Sequence, residues 1–324
     1  MPPSTPATGR PPSGGDEHRR RRRKAARHAA IRRRRRVTTG AATVIAILVA
    51  TVLVVDTSHG HELSDRQAAE RARSATLPVG NPLTTPDAKA RVHSRSGTVS
   101  AAVDDLRTGQ EWILNPGARD QTASIIKADI LETVLHQTIA AHKPLADAET
   151  ETAEDMIEAS DNDDATALWD QIGGASGIGA FNARAGLTQT TPNDDGYWGE
   201  TLTSAADQIK VLRQLAVSSR LLTPAAQRYE LSLMENVDAG EGWGVSGGVP
   251  SGVTVALKNG WVPLTSNTDW EINSIGWVDG DGRDYLIAVL TAHDPSKTYG
   301  VHTIDWLSTL IYRELAPRTR STAT

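Results

Sequence analysis

Strand-like segments bracket the foldable part of this chain at both ends and leave its middle to helical periodicity. Residues 98–103 read as a strand, 104–109 as a turn and 110–114 as the return strand. Period two marks 253–261, 273–278 and 285–291, with residues 279–284 turning between the last two. Between these blocks the spacing is helical. Over 124–142, Ile126, Ile130, Leu131, Val134 and Leu135 mark one face. Further helices are expected over 152–159, 163–172 and 177–185, from residues 203–207, and at Thr223-Pro224, a hydroxyl cap with a first-turn proline. A glycine-rich loop fills 240–252, and a last helix runs over 301–315. Early and late strands can share a sheet only if the two ends of the domain meet. The class is α+β: an antiparallel sheet drawn from both chain ends, flanked by helices, with an all-helical insertion.

Three short motifs fall at the seams of this arrangement. Ser124 and Lys127 lie at i and i+3 at the head of the first long helix, so they share a face. A neutral lysine there can take the serine's proton and make it a nucleophile. The pattern alone occurs by chance in a chain of this length. Two companions in the right order give it weight: Ser160-Asp161-Asn162 in a break between helices, then Lys258-Asn259-Gly260 on a late strand. Lysine usage points the same way. Of 34 basic residues only 7 are lysine, and two of those sit in these motifs. An amine that must lose its proton cannot be an arginine.

The order S-x-x-K, S-D-N, K-x-G resembles the class A β-lactamase and penicillin-binding-protein superfamily of serine hydrolases. The flanks AAVDDLRTGQEWILN, TLTSAADQIKVL and GGVPSGVTVALKNGW agree, and the resemblance covers roughly residues 96–315. It implies an acyl-enzyme mechanism on a β-lactam or related amide or ester, without metal or cofactor. Ser124 would be the nucleophile, Lys127 its base, and Ser160 the proton relay to the leaving group. Asn162 would bind the substrate amide and Lys258 a substrate carboxylate. The N–H groups of Ser124 and Trp261 would form the oxyanion hole, with Asn259 and Gly260 completing the substrate strand. Three departures stand out. Asn259 replaces the family's hydroxyl residue and Trp261 adds bulk beside it. Only 36 residues separate Ser124 from Ser160, so the helical part is trimmed. The polar loop 188–201 lacks the E-x-x-L-N motif whose Glu activates the deacylating water. Asp194, Asp195 and Glu200 are the acids available there, and Glu200 is the expected substitute.

Charge separates the N-terminal region from the rest. In residues 1–36, twelve arginines and Lys24 against Asp16 and Glu17 give +11, leaving −16 for the remainder of a chain whose net charge is −5. Residues 37–55 carry no charge; as a helix they would span about 30 Å, one hydrocarbon core. The arginines before them predict a cytoplasmic, disordered basic tail (1–36), an uncleaved membrane anchor (37–55), and everything later outside. A linker is expected over 56–95, the hydrolase domain over 96–316 and a disordered tail over 317–324. The acidic remainder excludes a nucleic-acid partner. There is no cysteine, hence no disulfide, thiolate metal site or lipidated cysteine.

Competing motifs fail on context. Gly244-Val245-Ser246-Gly247-Gly248 matches G-x-S-x-G but lies in a loop, not a strand–turn–helix elbow. The acids at 161–164 lack an EF-hand's glycine and glutamate, since Thr166 and Ile172 hold those places. The expected protein is a monomeric, membrane-anchored serine hydrolase facing the cell wall, with a small β-lactam or peptidoglycan-peptide-like substrate. Two readings remain beside it: a D-alanyl-D-alanine peptidase, and a non-catalytic wall-binding sensor of the same fold.

Overall fold

Five antiparallel strands form the main sheet, in spatial order β2-β1-β7-β6-β5. They are β1 (Thr98–Asp105), β2 (Gln110–Leu114), β5 (Thr254–Pro263), β6 (Trp270–Gly280) and β7 (Arg283–Asp294); two short strands, β3 (Asp120–Gln121) and β4 (Leu202–Thr203), pair separately. The computed structural model describes residues 80–264 and 269–317. The expected tail, membrane span and most of the linker lie outside the described residues. Among those described, no helix is long and apolar enough to cross a membrane.

The first strand pairs with the last over its whole length, from Thr98↔Ala292 to Asp105↔Tyr285. The alternation anticipated from sequence divides each strand between two cores. Val99, Ala101, Val103, Ile287 and Val289 face an outer layer formed by the C-terminal helix, through Ile304, Leu307 and Ile311. Ala102, Ala288 and Leu290 face the helical body.

The helices are α1 (Pro86–His93), α2 (Ile126–Ala140), α3 (Asp147–Glu158), α4 (Asn162–Ile172), α5 (Gly174–Ala185), α6 (Ala205–Ala216), α7 (Pro224–Met234) and α8 (Lys297–Glu314). The described residues include 80–95, inside the segment expected to be linker. There Pro82 and Pro86 begin helical turns. Asn81 caps a 3₁₀ turn at Pro82–Thr84, and Thr85 caps α1 at Pro86. Leu83 from that turn is buried in the outer core, and Arg95 stacks 3.5 Å over the Tyr299 ring of α8.

Helix α2 departs most from its sequence pattern. The apolar positions predicted one buried face, yet every residue from Ile126 to Leu135 is buried. The helix is central: α3, α4, α5, α6 and α7 all pack around it. Its polar residues are therefore enclosed with its apolar ones. Asp129 and Glu132 meet Glu230 of α7 there, and burial pushes all three carboxyls up, Asp129 to about 8.

Candidate active site

Ser124 lies in a 3₁₀ turn, Ala123–Ile125, that leads directly into α2. The turn is strained, with Ala123 at φ 46°, and it is held from two sides. Thr122 N donates to Thr201 O (2.8 Å) and Thr122 Oγ1 to Gly199 O (3.3 Å). From the sheet, Asn273 Nδ2 donates to Gln121 O (2.7 Å) and Thr122 O (3.1 Å).

Strand β5 runs against this turn, and Gly260 is the reason it can. A Cβ at Gly260 would lie 2.6 Å from Ser124 N, 2.8 Å from Ile125 N and 2.9 Å from Thr122 O, all backbone atoms. Gly260→Ala must therefore push the strand off the Ser124 turn, costing about 1–3 kcal/mol as overpacking does. Denaturant unfolding of the variant checks this; an unchanged midpoint would mean that the contact is slack.

The amines converge on Ser160. Lys127 is fully buried, and its Nζ donates to Ser160 O (2.7 Å), Ser160 Oγ (3.1 Å) and Asn162 Oδ1 (2.8 Å). Lys258, also fully buried, donates from Nζ to Ser160 Oγ (3.0 Å) and to Asn259 O (3.2 Å). Ser160 is itself in the left-handed region, φ 55°, just before Asp161 caps α4 by accepting from Asp163 N and Asp164 N. That geometry turns the Ser160 hydroxyl back between the two lysines. Burial, then the neighbouring Lys258 charge, lowers Lys127 to about 7, with Asp161, Glu241 and Asp164 partly offsetting. Burial lowers Lys258 to about 8, with Glu241 offsetting. Near neutral pH the pair can hold one proton less than two ammoniums, as a proton acceptor beside a cation requires.

The strand's other face is occupied differently from expectation. The Asn259 side chain, buried, donates from Nδ2 to Glu241 O (2.6 Å) and Trp243 O (2.9 Å). It thus staples the glycine-rich loop to β5, and both its N–H donors are taken. Trp261 forms a wall with Trp243, ring centroids 6.1 Å apart, and Lys297 Nζ lies 3.2 Å from the Trp261 ring centroid. Glu241, Trp243 and Lys297 are site residues that no motif marks. The rarity of lysine is a usable signal for Lys297; nothing local distinguishes Glu241.

Glu200 stands apart. It is exposed, its carboxylate accepts from Asn193 Nδ2 of the same loop (3.5 Å), and it is absent from the charges that act on Lys127. Asp194 and Asp195 are exposed as well. The loop instead brings Trp198 to the amine: its ring centroid lies 5.0 Å from Lys127 Nζ, and its Nε1 donates to Thr166 Oγ1 (3.1 Å).

Comparison with solved structures agrees with this architecture. The TLA-1 extended-spectrum β-lactamase superposes with a TM-score of 0.64 at 15% identity, over 70% of this chain and 96% of that one. A class A β-lactamase from Mycobacterium abscessus gives 0.60 at 19%, over 69% and 96%. A mutant of PBP-A in an acyl-enzyme complex with penicillin G gives 0.62 at 22%, over 73% and 98%. At these identities the likeness establishes the fold. By sequence, the chain is 30% identical over 199 residues to a Mycobacterium tuberculosis protein named "Putative lipoprotein LppW", covering 59% of this chain and 62% of that relative. The match thus spans less than two thirds of the relative's length. The model of the β-lactamase enzyme family matches residues 148–315, a stretch that holds Ser160, Asn162 and Lys258 and starts after Ser124. That stretch is just over half of the chain, and the chain belongs to the β-lactamase enzyme family.

Proposed function

We propose that this protein is a serine hydrolase that forms an acyl-enzyme at Ser124. The observation that carries the reading is the Ser160 hydroxyl bridging two buried amines at 3.1 and 3.0 Å. Neutral Lys127 takes the Ser124 proton as Oγ attacks an amide or ester carbonyl. Lys127 then passes a proton to Ser160 Oγ, whose own proton goes to the departing amine or alkoxide; the bond broken is the scissile C–N or C–O. Lys258 stays charged and donates to Ser160 throughout, which keeps the hydroxyl's proton pointed away from it. Asn162 orients Lys127 and binds the substrate amide. The N–H groups of Ser124 and Trp261, on the two elements that Gly260 brings together, would receive the oxyanion.

Deacylation is the weak half of this machine. With Glu200 exposed and Trp198 beside Lys127, none of the three acids in the 188–201 loop is positioned to activate water at the amine. A long-lived acyl-enzyme is the consequence, which favours peptidase-like chemistry on wall peptides over fast β-lactam turnover. Extracytoplasmic membrane association is supported by the charge-free stretch 37–55 behind its arginines, and by a relative named as a lipoprotein.

The test is intact-mass spectrometry of the full-length protein with a penicillin and a chromogenic cephalosporin, beside Ser124→Ala. The expected result is a stoichiometric adduct lost in Ser124→Ala and persisting for many minutes. An adduct retained in the variant would move the nucleophile elsewhere. No adduct and no turnover would leave the wall-binding sensor.

A further inference from the structure

The segment before Ser124 is gripped from the main sheet by side chains. β3 and β4 form a two-stranded sheet of their own. Antiparallel pairing alternates the direction of successive backbone groups. Thr122 N turns to the β4 side, onto Thr201 O (2.8 Å), so the Gln121 backbone points the other way, toward β6. Two β6 side chains meet it. Glu271 Oε2 accepts from Gln121 N (2.6 Å), and Asn273 Nδ2 donates to Gln121 O (2.7 Å) and Thr122 O (3.1 Å). Residues 271 and 273 share one face of their strand.

The sheet is irregular at the same place. Pairing of β6 with β7 runs from Ile272↔Thr291 to Trp270↔Asp294, so Ala292 and His293 together oppose Glu271. This is a β-bulge on β7, with His293 at φ 59°. Bulges beside active sites re-aim side chains. The side chain opposite this one is enclosed: Glu271 is 7% exposed. Burial pushes its carboxyl up to about 7, the Gln121 N–H bond offsetting and Asp120 adding. Two residues beyond Gln121 stands Ala123 at φ 46°. A left-handed alanine persists only where its surroundings fix it.

We propose that Glu271 is a positioning residue for Ser124: by accepting from Gln121 N it holds the chain so that Ala123 stays left-handed and Ser124 stays against Gly260 of β5. This deepens the hydrolase reading and rests on it. Glu271 touches no reacting atom. Without its acceptor, Gln121 N is a donor with no partner. Ala123 then relaxes to a negative φ, and the Ser124 N–H and Oγ leave the site together. Lys258 and the Trp243–Trp261 wall stand on β5 and the glycine-rich loop, so substrate binding there is untouched.

The test uses the full-length parent, Glu271→Met, Glu271→Gln, and Glu271→Met combined with Ala123→Gly. Acylation by benzylpenicillin is followed by stopped flow, and its non-covalent Kd by calorimetry in a Ser124→Ala background. Local order is read by amide hydrogen exchange of the peptide 120–126. Methionine keeps the volume and removes the acceptor; glutamine keeps both. Glu271→Met should lower the acylation rate constant about tenfold, the cost of one left-handed residue, at an unchanged Kd. Exchange in 120–126 should quicken while β7 and α8 keep their protection. Glu271→Gln should stay within about threefold of the parent. Adding Ala123→Gly should recover most of the loss, because glycine holds a positive φ without strain. Should Glu271→Met not fold, Glu271→Asp, one methylene short of Gln121 N, carries the same expectations. A Kd that worsens in step with the rate, exchange that quickens throughout the molecule, or no rescue by Ala123→Gly overturns the proposal. If the parent is acylated and Glu271→Met matches it in rate and exchange, the hydrolase reading stands and this one falls. If the parent is not acylated, the hydrolase reading falls, and exchange in 120–126 alone decides whether Glu271 holds the turn.

Discussion

Lys127→Met should cut the rate of Ser124 acylation by about 10²–10⁴-fold while leaving the fold intact. Methionine fills nearly the same volume, at the cost of the donors to Ser160 O and Asn162 Oδ1. What it removes is the proton acceptor. The pH profile of the parent should report the same group. Acylation requires Lys127 without its proton and Lys258 with it. The rate should therefore climb as pH passes about 7 and decline beyond about 8. Stopped-flow acylation across pH 5–9 measures both limbs. A variant as fast as the parent, or a parent fastest below pH 6, would remove Lys127 as the base. The two amines share Ser160 as a neighbour, so the limbs belong to the pair.

The second large effect concerns stability. Asp129, Glu132 and Glu230 are enclosed between α2 and α7, with Asp207 of α6 adding repulsion and Asn182 of α5 drawing Asp129 back. Each is held protonated when folded and ionises more easily when unfolded. The folded state thus binds more protons than the unfolded one above pH 4, and stability must fall as pH rises. For Asp129, raised from 3.8 to about 8, the slope is about 1.4 kcal/mol per pH unit, or about 3 kcal/mol between pH 5 and 7. Glu132 and Glu230 add to it with the same sign, as do Glu271 and Asp294. Lys127 and Lys258 oppose it only above about 7, where their unfolded forms hold protons that the folded forms have shed. Urea unfolding at pH 5, 6 and 7 should show the decline, and Asp129→Asn should reduce its slope by about 1.4 kcal/mol per unit. A flat profile would show that these carboxyls are hydrated.

The elements governed by one local rule were legible in the sequence. β2 runs from Gln110 to Leu114 as expected, and the three late strands appear in order, the last two several residues longer than their patterns. Motif spacing placed Ser124 and Lys127 at a helix start, Ser160 and Asn162 at a helix break and Lys258 on a strand; the structure has them there, with Lys127, Ser160, Asn162 and Lys258 hydrogen-bonded together. A polar loop's spacing does not say which side chain turns inward; the structure leaves the expected Glu200 exposed and brings the Trp198 ring to 5.0 Å from Lys127 Nζ. Asn259 was expected on the substrate strand, and its side chain is spent on the Glu241 and Trp243 carbonyls of the glycine-rich loop. The burial of Asp129 and Glu132 was invisible because a helix packed on all sides keeps no polar face.

The pairing of β1 with β7 also sets the order in which this molecule can be made. About 190 residues of chain separate the partners, so the middle of the sheet closes only through highly non-local contacts. Such topologies fold on millisecond-to-second times, after loop closure has been met in full. A nascent chain released before Arg283 holds a β1–β2 hairpin with one edge open and its apolar faces uncovered. C-terminal truncation therefore yields an aggregation-prone chain, and the last strand and helix act as the closing seam of the sheet that carries Lys258 and Gly260.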